Sequence, residues 1–378
     1  MKRQPTASID RRQFVALALA AGMTVLPLAA CAKSHLEEAE EQYVDDYAVA
    51  VVRSTQQMRS SYIDYYDGGM SLLRSVWYPY AGLSLGSVTR LAVLEDMLYL
   101  IPKGLMAQED DRKLISLDLR SGAVREFLVD QVSLKGVAVD DEYCYLTSNL
   151  NGAGYISRVD RASGEAAYFE TPGVFPSDIF TWEDRVCAFC TNSTGSANMA
   201  CLSTYSRNLE LISTLNLTST AGITLAGCPT APRDGRICFV SSIQPTEDNQ
   251  PFVNSLYAFD IRENNVVLLC ELEHEAYATL SEGARVFVFC FSRTFEDTYI
   301  DMYDSTTGEL LSSLHTDYAP LRGLFCDNSL FVDGNAGMAY VFVRYRLDGL
   351  ELIEDARAVL ADADDDAGPH PVGFFVRV

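Results

Sequence analysis

Asp304-Ser305-Thr306-Thr307-Gly308-Glu309-Leu310 is a polar turn set between two strand-like stretches, Tyr299-Ile300-Asp301-Met302-Tyr303 before it and Leu311-Ser312-Ser313-Leu314 after. The figure is an apolar strand ending in Asp, a polar turn with Gly, and a returning strand. It recurs at Leu117-Asp118-Leu119-Arg120-Ser121-Gly122 and at Val159-Asp160-Arg161-Ala162-Ser163-Gly164. Weaker copies stand at Tyr66-Asp67-Gly68, Ser206-Arg207-Asn208, Phe259-Asp260-Ile261-Arg262-Glu263-Asn264 and Arg346-Leu347-Asp348-Gly349. The turns centre on residues 67, 121, 163, 207, 263, 307 and 348, a step near 44. A repeat of that length with only strand signals inside it predicts one four-stranded blade per step. The fold class expected is all-β: a single seven-bladed β-propeller of antiparallel blades.

The blades follow in order. Blade 1 supplies three strands, Tyr47 to Val52, Ser61 to Tyr66 and Met70 to Val76. Blade 2 reads Ser87 to Leu94 (inner), Met97 to Ile101, Lys113 to Leu119 and Ala123 to Val129 (outer). Blades 3 to 7 cover about 131–171, 174–216, 219–272, 276–315 and 318–356. The inner strand missing from blade 1 is expected from the chain end, Val372 to Val378. A ring joined through its two ends leaves no open sheet edge.

The first 30 residues read as an address outside the fold. Asp10-Arg11-Arg12-Gln13-Phe14-Val15 resembles the twin-arginine export motif, with Asp10 where Ser or Thr is usual. The apolar run Val15 to Ala30 is about 16 residues, short of the ~20 a spanning helix needs. It ends in Leu28-Ala29-Ala30-Cys31, which resembles a lipobox. That resemblance implies a lipid on Cys31, the first mature residue, and an anchor on the extracytoplasmic face of a bacterial membrane. An uncleaved N-terminal anchor is the alternative. The expected organisation is a signal peptide at 1–30, an acidic tether at 31–42 and the propeller at 43–378. The repeats resemble bacterial extracytoplasmic propellers. The turn is similar to the Asp-x-x-Thr-Gly of quinoprotein-like repeats, but the docking Trp of that family is missing, Trp77 and Trp182 being isolated. Propellers host many functions, so none follows from the architecture.

The chain has 378 residues, 48% of them apolar, enough for a large core. Its net charge of −23 repels phosphate backbones and argues against nucleic acid as a partner. Cys31 aside, nine cysteines remain, an odd number. Cys144, Cys187 and Cys238 fall in second strands at a slot held by Tyr99, Phe287 and Phe331 in other blades, which marks them as packing residues. Cys187 and Cys190 are three apart on one strand and face opposite sides, so they do not share a metal. Cys190 with Cys201 and Cys228 with Cys238 are local pairs with disulfide spacing. No cofactor and no metal site is expected. Asp362, Asp364, Asp365 and Asp366 form an acidic loop without the Gly and Glu positions of an EF-hand, and adventitious calcium is the alternative. Gly82-Leu83-Ser84-Leu85-Gly86 matches a nucleophile elbow in letters, but it lacks the strand-to-helix setting and is read as an interblade turn.

Binding is expected in the loops between second and third strands, which share one face of the disc: 102–112, 148–154, 191–199, 241–255, 292–298 and 333–339. They carry Glu109, Asp110, Asp111, Asn149, Asn151, Asn192, Asn198, Glu247, Asp248, Asn249, Asn254, Glu296, Asp297, Asp333 and Asn335. Plain solvation of these polar groups is the competing reading. No catalytic constellation stands out. The leading expectation is a membrane-tethered binding or scaffold lipoprotein with a protein or glycan partner. The alternative is an enzyme, hydrolase or lyase, acting on envelope polysaccharide through carboxylates at the channel mouth. Paired carboxylates there would favour the enzyme.

Overall fold

The computed structural model describes residues 36, 39–54, 60–87, 90–103, 112–192, 199–223, 225–227, 229–243, 253–292, 296–337, 339–360 and 370–377. Arg11, Arg12, Cys31, Glu109, Asp110, Asp111, Asn198, Cys228, Glu247, Asp248, Asn249 and the acidic run 362–366 lie outside the described residues.

Seven antiparallel sheets follow one another along the chain, each with an inner, second, third and outer strand. Blade 1 is closed by the far end of the chain. Its inner strand, His370–Val376, pairs with Val49–Ser54, followed by Ser61–Tyr66 and Leu72–Tyr78. Val376 stands opposite Val49 and His370 opposite Ser54. The expected ring closure is therefore present, and the protein is a seven-bladed β-propeller. Blade 2 departs from the pattern. The strand expected at 87–94 is replaced by two fragments, Leu83–Ser84 and Val93–Leu94, both paired with the second strand Met97–Pro102. The Gly82 to Gly86 stretch is thus partly an inner strand and not only a turn.

The repeated Asp holds the hairpin between third and outer strands. The Oδ1 atoms of Asp118, Asp160 and Asp304 each accept the backbone N–H groups two and three residues on, at 2.7–3.3 Å. The Gly four residues on donates its N–H to the carbonyl of the same Asp at 2.8–2.9 Å. Gly122, Gly164 and Gly308 do so at φ of 74°, 79° and 72°, where a side chain would be strained. The motif visible in the sequence is this Asx turn.

Each second strand alternates its side chains between the two neighbouring blades. In blade 2, Leu98 and Leu100 pack with Tyr65 and Phe375 of blade 1, while Tyr99 and Ile101 pack with Leu134 and Val159 of blade 3. Blades 7 and 1 meet through Phe342 and Phe374, 4.8 Å between ring centroids. Among the described residues seven such apolar clusters, one between each pair of neighbouring blades, make the core. Cys187 and Cys238 are buried facing the next blade, as Tyr99 and Phe287 are. Cys144 is buried too, but it faces back and packs with Tyr99 instead of standing in its slot. Cys187 and Cys190 lie in different clusters, and Cys190 stands opposite Cys201 in the register, both as free thiols. Burial pushes the Cys144 thiol up to about 12 and those of Cys187 and Cys238 to about 11.

Candidate binding site at the channel mouth

An inner strand has one free edge, and that edge faces the axis of the ring. Five of the seven inner strands bulge near the end that meets the turns between second and third strands. The extra residues are Val372, Lys135, Ser177, Tyr277 and Leu321 in blades 1, 3, 4, 6 and 7. A bulge inserts one residue and re-aims its side chain. Lys135, Ser177 and Tyr277 are exposed although they sit on innermost strands. Pro371, Pro176 and Pro320 immediately precede the bulges of blades 1, 4 and 7, positions where a missing N–H is tolerated.

In blade 2 the chain makes an excursion between its two inner fragments: Leu85, Gly86, Ser87, Arg90 and Leu91 pair in no ladder. Two glycines on neighbouring blades record how close it comes. A Cβ on Gly373 of blade 1 would lie 2.3 Å from Leu85 Cδ1. A Cβ on Gly86 itself would lie 2.6 Å from Val137 Cγ1 of blade 3. The excursion's Leu85 and Gly86 are wedged between the inner strands of blades 1 and 3. Its Arg90 reaches blade 4, where Nη2 bonds Asp178 Oδ1 and the guanidinium lies 5.4 Å from the Phe180 ring centroid. The Arg90 side chain is 10% exposed, and its Nε is buried without a hydrogen-bond partner among the described residues.

Opposite, Arg322 of blade 7 grips Asp333 through Nε at 3.0 and 2.8 Å and through Nη2 at 2.5 Å. Arg322 Nη2 also reaches the Pro371 carbonyl at 3.5 Å. Burial pushes the Asp178 carboxyl up against the pull of Arg90 and Lys103, and does the same to Asp333 against Arg322. Beside Arg322, among blades 7, 1 and 2, lies a cavity of about 310 Å³ lined by Ser54, Ser84, Lys103, Arg322, Pro371 and Val372. Ser84 Oγ accepts the Gly86 N–H at 3.3 Å, an internal turn bond within a strand fragment.

Among the described residues expected to bind, Asp333 stands at this mouth in the grip of Arg322, as a buried strand residue. Asn149, Asn192, Asn254 and Asn335 also belong to strands, because those hairpins are tighter than the sequence reading allowed. In blade 3 the connection is Asn151-Gly152, both at positive φ (52° and 81°), the turn that suits two strands of right-handed twist. Asn149 stands opposite Gly154 with its Oδ1 buried and unbonded among the described residues. Glu296 and Asp297 are exposed in a loop held by Ser292. Arg90, Lys103, Lys135, Asp178, Tyr277 and Arg322 escaped the sequence reading. The parallel triplets Pro176-Ser177-Asp178, Pro320-Leu321-Arg322 and Pro371-Val372-Gly373 are the signal that would have found the bulges.

A second polar cluster lies between blades 5 and 6. The fully buried Asp301 is bonded to His274 Nδ1 at 2.8 Å and accepts from Ser313 Oγ at 2.5 Å. The His274 ring is stacked on Tyr299 with 3.7 Å between centroids. Among the described residues no three His, Cys, Asp or Glu side chains converge as metal ligands.

No family model matches this chain, and no curated protein matches it. Among solved structures it is similar to Kuenenia stuttgartiensis hydrazine synthase, with a TM-score of 0.53 and 10% identity over 83% of this chain and 95% of that one. It is also similar to the dihydro-heme d1 dehydrogenase NirN in complex with DHE, with a TM-score of 0.50 and 12% identity over 86% of this chain and 75% of that one. At such identities the likeness shows the fold alone, the β-propeller.

Proposed function

We propose that this protein is an extracytoplasmic binding lipoprotein, held on the outer face of a bacterial membrane by a lipid on Cys31. It takes a protein or glycan partner at the channel mouth and on the surrounding turns. One observation carries this reading. Five strand bulges and the blade 2 excursion bring charged and aromatic side chains toward one mouth, and the two buried carboxylates described there, Asp178 and Asp333, are each engaged by an arginine. Hydrolysis of a glycosidic bond by the usual route needs two carboxyl groups facing each other across the sugar. Asp178 and Asp333 instead face Arg90 and Arg322. That arrangement favours holding a ligand over cutting one.

Photo-crosslinking in the native membrane tests the reading. A crosslinker at position 177 or 277 should capture an identifiable partner, and one at Tyr168 on the outer strand of blade 3 should not. Equal capture from all three, or none from the mouth, would count against it. Cys31→Ala should release the protein from the membrane fraction or leave it unprocessed, and unchanged retention and processing would remove the anchor from the proposal. Arg11→Lys with Arg12→Lys should block export by the twin-arginine route; normal export would point to general secretion.

A further inference from the structure

We infer that the channel mouth binds a carboxylate-bearing saccharide, with Lys103 and Arg322 taking the carboxylate and Tyr277 stacking on the sugar ring. The inference rests on the binding reading above and narrows it to one ligand class.

Charge is the first argument. The chain carries −23 overall, yet Arg90, Lys103, Lys135 and Arg322 gather at the mouth against Asp178 and Asp333. The lining of the cavity itself holds Lys103 and Arg322 and no Asp or Glu among the described residues, which makes it a focus for an anion in so acidic a chain. The two arginines are also partly unspent. Arg322 uses Nε and Nη2 on Asp333 and Pro371, and its Nη1 makes no bond to a described residue. Arg90 holds Asp178 through Nη2, while its Nε stays buried and unbonded among the described residues. An ionised carboxylate is acceptor-only and matches such donors with charge-assisted bonds.

Shape supplies the second argument. The cavity of about 310 Å³ is more than a lone tetrahedral anion needs and stands at the lower end for small-molecule sites, roughly 300–1,000 Å³. Tyr277 lies outside the cavity lining, on the inner-strand bulge of blade 6, next to the blade that carries Arg322; it is 42% exposed, with its ring centroid 5.0 Å from that of Phe291. An exposed aromatic ring on the inner strand next to that of a guanidinium suits a ligand that extends past the cavity and has an apolar ring face and a charged edge. A uronic acid has both. Ser54 and Ser84 line the same cavity and add hydroxyls toward a polyol.

The full chain, solubilised in detergent, is titrated calorimetrically with oligogalacturonate, its methyl ester, inorganic phosphate and a Glu-rich peptide. Oligogalacturonate should bind, the ester about tenfold or more weaker, and phosphate weaker still. Lys103→Ala and Tyr277→Ala should each weaken the uronate about tenfold, the loss expected of one charge-assisted bond or one stacking face. Arg112→Ala, which breaks an exposed pair with Asp130 away from the cavity, should leave binding unchanged. If Lys103→Ala fails to fold, Tyr277→Ala still decides. Equal affinity for acid and ester, insensitivity to both variants, or preference for phosphate overturns the inference. Binding of the acidic peptide alone also overturns it, while leaving the mouth as a protein-binding site. Crosslinking to the mouth without any uronate binding does the same, so the two readings fail separately.

Discussion

Blades 1 and 2 are neighbours, share one apolar cluster, and treat their innermost position in opposite ways. Blade 1 takes its inner strand from the far end of the chain, His370–Val376, paired along the whole of Val49–Ser54. Blade 2 has its own sequence available and still pairs only four residues, in two fragments. Local connection is therefore not what decides how far an inner strand pairs; the residues that the stretch supplies are. Phe374, Phe375 and Val376 are all buried, Phe374 in the cluster shared with blade 7 and Phe375 in that shared with blade 2. The blade 2 stretch carries Gly86 and Arg90, which are worth more against Val137 and Asp178 than in a ladder. One blade closes the ring, and the other lends its backbone to the channel.

The largest test of that contrast is removal of residues 371–378. The deletion takes several buried side chains, each contributing roughly 1.5–3 kcal/mol. It also exposes the edge of Val49–Ser54 to pairing with other chains. A typical domain holds only about 5–15 kcal/mol in reserve. The truncated protein should aggregate or be degraded, while removal of 32–35 should leave its melting temperature within a degree or two of the parent. An unchanged melting temperature in the 371–378 deletion would reduce blade 1's closing strand to a decoration.

The same contrast explains what the sequence disclosed. The Asx turns recur because each hairpin solves one local problem with the same three groups, an Asp carboxylate, two backbone N–H groups and a glycine. Ring closure was legible because Phe374-Phe375-Val376 is too apolar for a free end. The site was not legible, for a physical reason. Arg90 and Asp178 are 88 residues apart and meet only because blades 2 and 4 face one channel. Asp333 drew notice as a loop acid but is a strand residue that Arg322 neutralises. Leu91, Ala92, Val93 and Leu94 read as a strand, and only the last two pair as one.

Two glycines on the shared boundary sharpen the comparison at a smaller scale. Gly82, which opens blade 2's first fragment, sits at φ 64°, and a Cβ there would lie 2.3 Å from the Lys103 carbonyl oxygen. The left-handed conformation alone costs a side chain roughly 1–2 kcal/mol, and the blocking atom is backbone. Gly82→Ala should lose about 2 kcal/mol or more by urea denaturation. Gly373 in blade 1 has no such φ, and its nearest obstacle is the movable end of Leu85. Gly373→Ala should cost about 1 kcal/mol, the low end for overpacking. The reverse order would mean that Leu85 is held more rigidly than the backbone at Lys103, and that the excursion is the stiffer of the two inner elements.

The smallest effect is one of sign, between an aspartate of the regular hairpins and one of the channel. The Asp160 carboxyl is held below its usual range, first by the Ser163 N–H and then by the Ser163 hydroxyl. Its contribution is present above the unfolded value, about 3.9, and is lost as pH falls through the lower folded value. Asp178 is the opposite case. Burial raises its carboxyl more than Arg90, the Ile179 N–H and Lys103 lower it. Below the unfolded value both states are protonated and nothing is lost. As pH rises toward the higher folded value the unfolded chain ionises first, so the native state loses ground. Melting temperatures of Asp160→Asn and Asp178→Asn relative to the parent, from pH 3 to 7, separate the two. The deficit of Asp160→Asn should shrink toward the acid end and hold steady above pH 4. Asp178→Asn should hold steady at the acid end and gain on the parent as pH rises. If Asp178→Asn loses ground instead, Arg90 and Lys103 attract its charge more strongly than burial opposes it. Blade 2's excursion would then be pinned across the channel by net electrostatic attraction, and packing against Leu85 and Val137 would be the lesser restraint.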